Sequence, residues 1–151
     1  DNFHHGKKDA TMEEIRHAAG IAQIGDFIDG LEDGYHTRVA QGGNNFSGGQ
    51  KQRLAIARAL VKKPEIYIFD DSFSALDFKT DARLRAALKE ETTHSAVILV
   101  AQRISTIMDA DQIVVLDEGR VAGIGTHKEL MESCTVYQQI ARSQLSEEEL
   151  A

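Results

Sequence analysis

The chain has 151 residues, 42% of them apolar and 27% charged, with a formal net charge of −7. That is enough for one domain with a packed core, and too acidic for nucleic acid to be the main partner. No apolar run reaches membrane-spanning length, no secretory leader opens the chain, and the single Cys134 excludes an intrachain disulfide.

Opening on Asp1 rather than Met, the sequence reads as a piece of something longer. Residues 1–9 are polar, and His4-His5 read as part of a solvated loop rather than a metal pair. Gly6-Lys7-Lys8 is not a phosphate loop, because G-x-x-x-x-G-K-[ST] occurs nowhere in the chain. Thr11 and Glu14 form a capping-box pattern, and Met12, Ile15, Ala18 and Ala19 give the helix that follows an apolar face. Gly20 ends that helix. Ile21, Ile24, Phe27 and Ile28 continue a second helical stripe to Gly30. Glu32-Asp33-Gly34 is a turn, and Thr37–Asn45 is a loop.

That loop leads into Asn44-Asn45-Phe46-Ser47-Gly48-Gly49-Gln50, the stretch around which the rest is organised. Lys51–Val61 reads as an amphipathic helix, with Leu54, Ala57 and Val61, and also Ile56 and Leu60, at helical spacing. Ser47 is a natural N-cap, and Lys62 and Lys63 suit the negative end of the helix dipole. Gly48 and Gly49 leave the first turn without bulk, so an anion could approach its free amides. On its own the pattern is usually only a capped turn.

Pro64 breaks the helical pattern. Ile66-Tyr67-Ile68-Phe69 reads as a strand buried on both faces, stopping at Asp70-Asp71. Two carboxylates at the C-terminal end of a buried strand lie where open α/β sheets bind ligands, and one can hold Mg²⁺. A polar turn is the plainer alternative. Ser72–Asp77 is a loop, with Asp77 placed to cap a helix whose buried side carries Leu84, Ala87 and Leu88. Ala96–Val100 is a second buried strand, ending at Ala101-Gln102-Arg103. A short helix around Ile104–Met108 precedes a third strand, Ile113–Leu116. Asp117-Glu118-Gly119 is a hairpin turn into Arg120–Ile124. Thr126 with Glu129 opens a helix to about Glu132, and Thr135 with Gln138 opens another to about Ser143. Cys134 reads as a small apolar filler, and Ser146-Glu147-Glu148-Glu149 as a solvated acidic tail. The second half therefore alternates strand and helix, the pattern of an α/β fold with a parallel sheet and crossover helices.

Taken in order, Phe46-Ser47-Gly48-Gly49-Gln50, Gln52-Arg53 and Ile56-Ala57-Arg58-Ala59-Leu60 resemble the signature motif and signature helix of ABC transporter ATP-binding domains. Ile66–Asp71 is similar to the Walker B strand, and Ser74-Ala75-Leu76-Asp77 to the D-loop. Ala101-Gln102-Arg103 stands where the family has its switch histidine. Phe27-Ile28, Gly34-Tyr35 with Thr37, and Gly125–Leu130 resemble the exporter branch, in which the ATP-binding domain is fused to a membrane domain. The resemblance runs almost end to end. It implies the C-terminal part of an ABC-type P-loop NTPase domain that lacks the Walker A loop and the Q-loop. Residues 1–63 would be the helical subdomain with the signature, and residues 64–151 the later half of the α/β ATPase core.

In this family two domains face each other head to tail around ATP and Mg²⁺. The resemblance therefore implies that Ser47, Gly48, Gly49 and Gln50 meet the γ-phosphate side of a nucleotide held by a second subunit. It implies that Asp70 ligates Mg²⁺ in this chain's own site and that Asp77 crosses the dimer interface. Two departures stand out: the second Walker B carboxylate is Asp71 instead of Glu, and the switch histidine is Gln102. A lesser one is Ala40-Gln41, where exporters often carry Gly-Glu near the membrane domain. The pattern resembles the degenerate-site subunit of a bacterial heterodimeric exporter at the cytoplasmic face of the inner membrane. Its own site would hydrolyse slowly, and the fragment alone would be inactive. The alternative is a non-catalytic regulatory nucleotide-binding module. A DNA-linked ABC ATPase fits poorly, because the charge is acidic and heptads are absent.

Overall fold

The structure, a computed structural model, describes residues 2–146. The acidic stretch Glu147–Glu149 lies outside the described residues. The chain divides into two compact units, Asp1–Val100 and Ala101–Ala151.

In the first unit, helix α1 (Met12–Ile21) opens on the expected capping box. The Glu14 amide donates to Thr11 Oγ1 at 3.2 Å, and the Thr11 amide donates to Glu14 Oε2 at 3.0 Å. Ile15, Ala18 and Ala19 are buried, whereas Met12 is exposed. Gly20 does not end the helix. It runs to Ile21, and the reversal falls at Gln23, whose φ of 58° is left-handed. Helix α2 (Gly25–Asp29) is short, and 3-10 turns at Gly34–His36 and Gln41–Gly43 lead to α3 (Gly48–Lys62). Every apolar position read from the α3 pattern (Leu54, Ile56, Ala57, Leu60 and Val61) is buried. Its C-cap is Lys63 in the left-handed region.

Strand β1 (Ile66–Asp70), helix α4 (Phe78–Glu91) and strand β2 (Ala96–Val100) complete the unit. The strands pair in parallel with Ile68 opposite Ile98 and Asp70 opposite Val100. Their burial corrects the sequence expectation. Tyr67 and Phe69 are buried, but Ile66, Ile68, Ile98 and Val100 are more than half exposed. A two-stranded sheet packs one face on the core, and here the other face meets no described residue that covers it.

The second unit holds α5 (Ile104–Ile107), β3 (Ile113–Asp117), β4 (Arg120–Gly125), α6 (His127–Ser133) and α7 (Thr135–Gln144). The β3–β4 pair is an antiparallel hairpin, so among the described residues only β1 and β2 pair in parallel. Glu118 and Gly119 both have positive φ, 47° and 75°, which matches the twist of the flanking strands. Thr126 and Glu129 close the expected capping box on α6. Thr135 caps nothing: Cys134 occupies the N-cap of α7 and offers no side-chain hydrogen bond there. Cys134 is buried with Ile104, Ile113, Val115, Leu130, Tyr137 and Ala141. Among the described residues, no helix is long and apolar enough to cross a membrane.

Candidate functional site

The tip of α3 is built by its own first residues. Ser47, in extended conformation at the N-cap, accepts the Gln50 amide at Oγ (3.2 Å). Gln50 returns Oε1 to the Ser47 amide at 2.8 Å. This capping box satisfies two of the orphan groups of a helix start. Among the described residues the amides of Gly48 and Gly49 have no partner, and Ser47 and Gly48 are exposed. No acidic residue stands in the first turn of α3 to offset the positive end of its dipole. The Ser47 hydroxyl and the Gln50 Nε2 hydrogens remain able to donate. The arrangement can present several N–H and O–H donors to an anion.

Beneath the tip lies the turn that follows β1. Asp71 adopts φ 47°, left-handed for a residue that carries a Cβ. Its amide donates to the Val100 carbonyl at 2.8 Å. Phe73 and Leu76 anchor the turn by burial, with Phe73 tilted against Phe69. Gly49 lies directly on this turn, for a Cβ there would come within 2.9 Å of the Ala75 carbonyl oxygen. The glycine is thus needed for packing inside the unit, apart from any approach by an anion.

Gln52 makes the closest polar link between tip and turn. Its Nε2 donates to the Asp71 carbonyl at 3.0 Å and stands 3.0 Å from Ser74 Oγ, while its Oε1 accepts the Ala75 amide at 2.9 Å. Arg53 ties α3 elsewhere, donating to the carbonyl of Gly49 in its own helix and to that of Gln23 between α1 and α2. In the sequence both residues belonged to a motif without an assigned task, since periodicity does not say which loop a polar side chain reaches. Asn45 braces the preceding loop by accepting the Ala40 amide and donating to the Arg38 carbonyl.

Asp70 and Asp71 are exposed at the end of β1, and no ion pair with a described residue engages either carboxylate. Adjacent free carboxylates of this kind suit Mg²⁺, which keeps waters and takes its other ligands from substrate phosphates. Asp77 caps α4 with both oxygens: Oδ1 accepts the Thr80 amide at 2.9 Å and Oδ2 its hydroxyl at 2.7 Å. The amide bond first, and the hydroxyl second, hold its pKa below the ordinary carboxylate value. Gln102 belongs to the second unit, where it is exposed. Gln144 braces this segment by donating to the Gln102 carbonyl at 2.8 Å and accepting the Ile104 amide at 2.9 Å. The first unit thus gathers Ser47–Gln50, Asp70, Asp71 and Asp77 around α3 and β1, and Gln102 is placed only by its own neighbours.

The family profile described as ABC transporter matches residues 2–74. An uncharacterized ABC transporter ATP-binding protein of Mycobacterium tuberculosis (strain ATCC 25618 / H37Rv) is 47% identical over 147 residues, covering 95% of this chain and 25% of that protein. The ATP-dependent lipid A-core flippase of Chromobacterium violaceum is 43% identical over 146 residues, covering 97% of this chain and 25% of that protein. Among solved structures, a bacterial Atm1-family ABC exporter with ATP bound superposes with a TM-score of 0.92 at 42% identity. That match covers 97% of this chain and 26% of the exporter chain. The chain spans between a tenth and about a quarter of the length of the curated relatives it matches.

Proposed function

Because the chain belongs to the ABC transporter ATP-binding domains and is homologous to those of ABC exporters, we propose that it is the signature-bearing part of an ATPase that powers transport across a membrane. The observation that carries this reading is the exposed tip of α3, where two glycine amides without a partner among the described residues follow a serine hydroxyl at the positive end of a 15-residue helix. Donors fixed in that way favour a phosphoryl group without reorganisation.

Ser47, Gly48, Gly49 and Gln50 then face the γ-phosphate of ATP bound mainly by a second subunit, arranged head to tail. Asp70 holds Mg²⁺ in this chain's own site. Bound there, the ion would supply positive charge to the phosphate oxygens. Asp77 reaches toward the opposite site from the start of α4. Asp71 is the group left to accept the proton of an attacking water at its carboxylate. It is one methylene shorter than glutamate, and a displacement of about 1 Å costs roughly a hundredfold. Gln102 hydrogen-bonds but takes up no proton at neutral pH. Both departures support a slow site in this chain, with the signature completing a faster site in a different partner chain.

The division into a helical subdomain, residues 1–63, and the later half of the ATPase core, residues 64–151, belongs to this reading. So do a membrane domain in the same polypeptide and a place at the cytoplasmic face of a bacterial inner membrane. The test is Ser47→Arg in the full-length protein paired with its partner. Turnover should collapse, because the arginine fills the space above the tip; turnover near wild type refutes the role in trans. ATP binding with no turnover in the unaltered pair would instead favour a regulatory nucleotide-binding module.

A further inference from the structure

We propose that Gln52 is a positioning residue, locking the turn 71–75 to the tip of α3 so that the Asp70-Asp71 carboxylates and the Ser47–Gln50 donors move as one body. The inference rests on the functional reading above.

Three features carry it. First, the Gln52 carboxamide is used in full: each Nε2 hydrogen has an acceptor, the Asp71 carbonyl and Ser74 Oγ, and Oε1 has a donor, the Ala75 amide. Turning the amide over would set oxygen against the Asp71 carbonyl and nitrogen against the Ala75 N–H, so only one orientation satisfies the site. Second, the bond to Asp71 falls on a residue whose backbone is left-handed, φ 47°. Such a conformation persists when its surroundings over-determine it, and here the Val100 carbonyl fixes the amide while Gln52 at 3.0 Å and the Ser74 hydroxyl at 3.3 Å fix the carbonyl. Third, the helix and the turn already touch at Gly49 and Ala75. Contact sets how near they lie, and the carboxamide sets their register.

A shift on the nucleotide-facing side of α3 would therefore carry the peptide of Asp71 with it, and the reverse holds equally. Gln52 touches no substrate in this account. Its effect passes through the Asp71 peptide and the first turn of α3.

The experiment uses the full-length protein with its partner subunit and measures steady-state ATP turnover and thermal midpoint. Gln52→Ala should lower kcat about tenfold while KM moves less than about threefold, since geometry is lost and nucleotide contacts are kept. Gln52→Glu keeps the acceptor for Ala75 but opposes the Asp71 carbonyl, so it should be at least as slow. Ser74→Ala removes one of the three Gln52 bonds together with the Ser74 hydroxyl's own bond to the Asp71 carbonyl, and should cost about two- to threefold. The double variant Gln52→Ala with Ser74→Ala should be slower than Gln52→Ala by less than the loss that Ser74→Ala causes alone, because the two residues share one network while Ser74 keeps its own bond to the Asp71 carbonyl. Losses that multiply overturn the lock, and so does wild-type kcat in Gln52→Ala. Ser47→Arg run alongside separates the two ideas. If Ser47→Arg is inactive and Gln52→Ala is normal, only the lock falls. If Ser47→Arg is normal, the reading in trans falls and the lock with it.

Discussion

A Cβ placed on Gly49 would stand 2.9 Å from the carbonyl oxygen of Ala75, closer than real Cβ atoms come to such a neighbour. The neighbouring glycine differs: at Gly48 the nearest atom is the Ala75 Cβ, at 3.5 Å, an ordinary contact. Gly49→Ala should therefore force α3 and the turn apart and cost about 1–3 kcal/mol. Gly48→Ala should leave thermal stability nearly unchanged. Thermal unfolding of the two variants side by side checks this, and equal midpoints would contradict it.

Asp71 and Gln102 give the next expectation. If shortened reach and a missing proton carrier are what slow this chain's own site, Asp71→Glu together with Gln102→His should restore hydrolysis there. The gain should be about tenfold or more, within the range attributed to a well-placed base. Single-turnover hydrolysis in the full-length pair, with the partner's site silenced, is the measurement. No gain would mean that those two positions do not account for the weakness.

Glu14 offers a pH-dependent readout. The Lys7 ammonium at 2.7 Å first, and the Thr11 amide second, bring its pKa from 4.5 down to about 2. A carboxylate depressed in the folded state contributes stability that is complete above its unfolded value and disappears as pH falls through the folded one. The difference in thermal midpoint between wild type and Glu14→Gln should thus be constant at neutral pH, shrink below 4.5 and vanish near 2. Added salt should reduce it, because both groups lie at the surface. A difference that grew on acidification would refute the assignment.

The helices were legible because their information is local. Thr11 with Glu14 and Thr126 with Glu129 are caps within one turn, and both close as read. The apolar rows of α3 and the hairpin at Glu118-Gly119 depend on period and on turn chemistry alone. The strands were harder. A run such as Ile66–Phe69 says that a strand forms, but not which neighbours cover it, and that is where Ile66 and Ile68 departed from expectation. Gln52 shows the same limit at the candidate site. Its partners lie 19 to 23 residues away, and only the docking of α3 on the turn after β1 brings them together.

The exposed sheet face leads to the last expectation. Ile68 and Ile98 are register partners, exposed by 67% and 51%, with Ile66 at 58% and Val100 at 53% beside them. Among the described residues β1 and β2 pair only with each other, so each also presents an open edge. An apolar face with two open edges is a template for pairing with another chain. Residues 1–151 expressed alone should therefore self-associate, and light scattering at rising concentration should show mass growing beyond the monomer. Ile68→Lys with Ile98→Lys places charge on that face and should shift the distribution back toward monomer, leaving the core around Tyr67 and Phe69 intact. In the full-length protein the same pair of substitutions should instead lower stability, because the functional reading has the rest of the ATP-binding domain covering this face. A clean monomer of unaltered 1–151 at high concentration would remove the premise. Unchanged association in the double variant would move the contact to another surface.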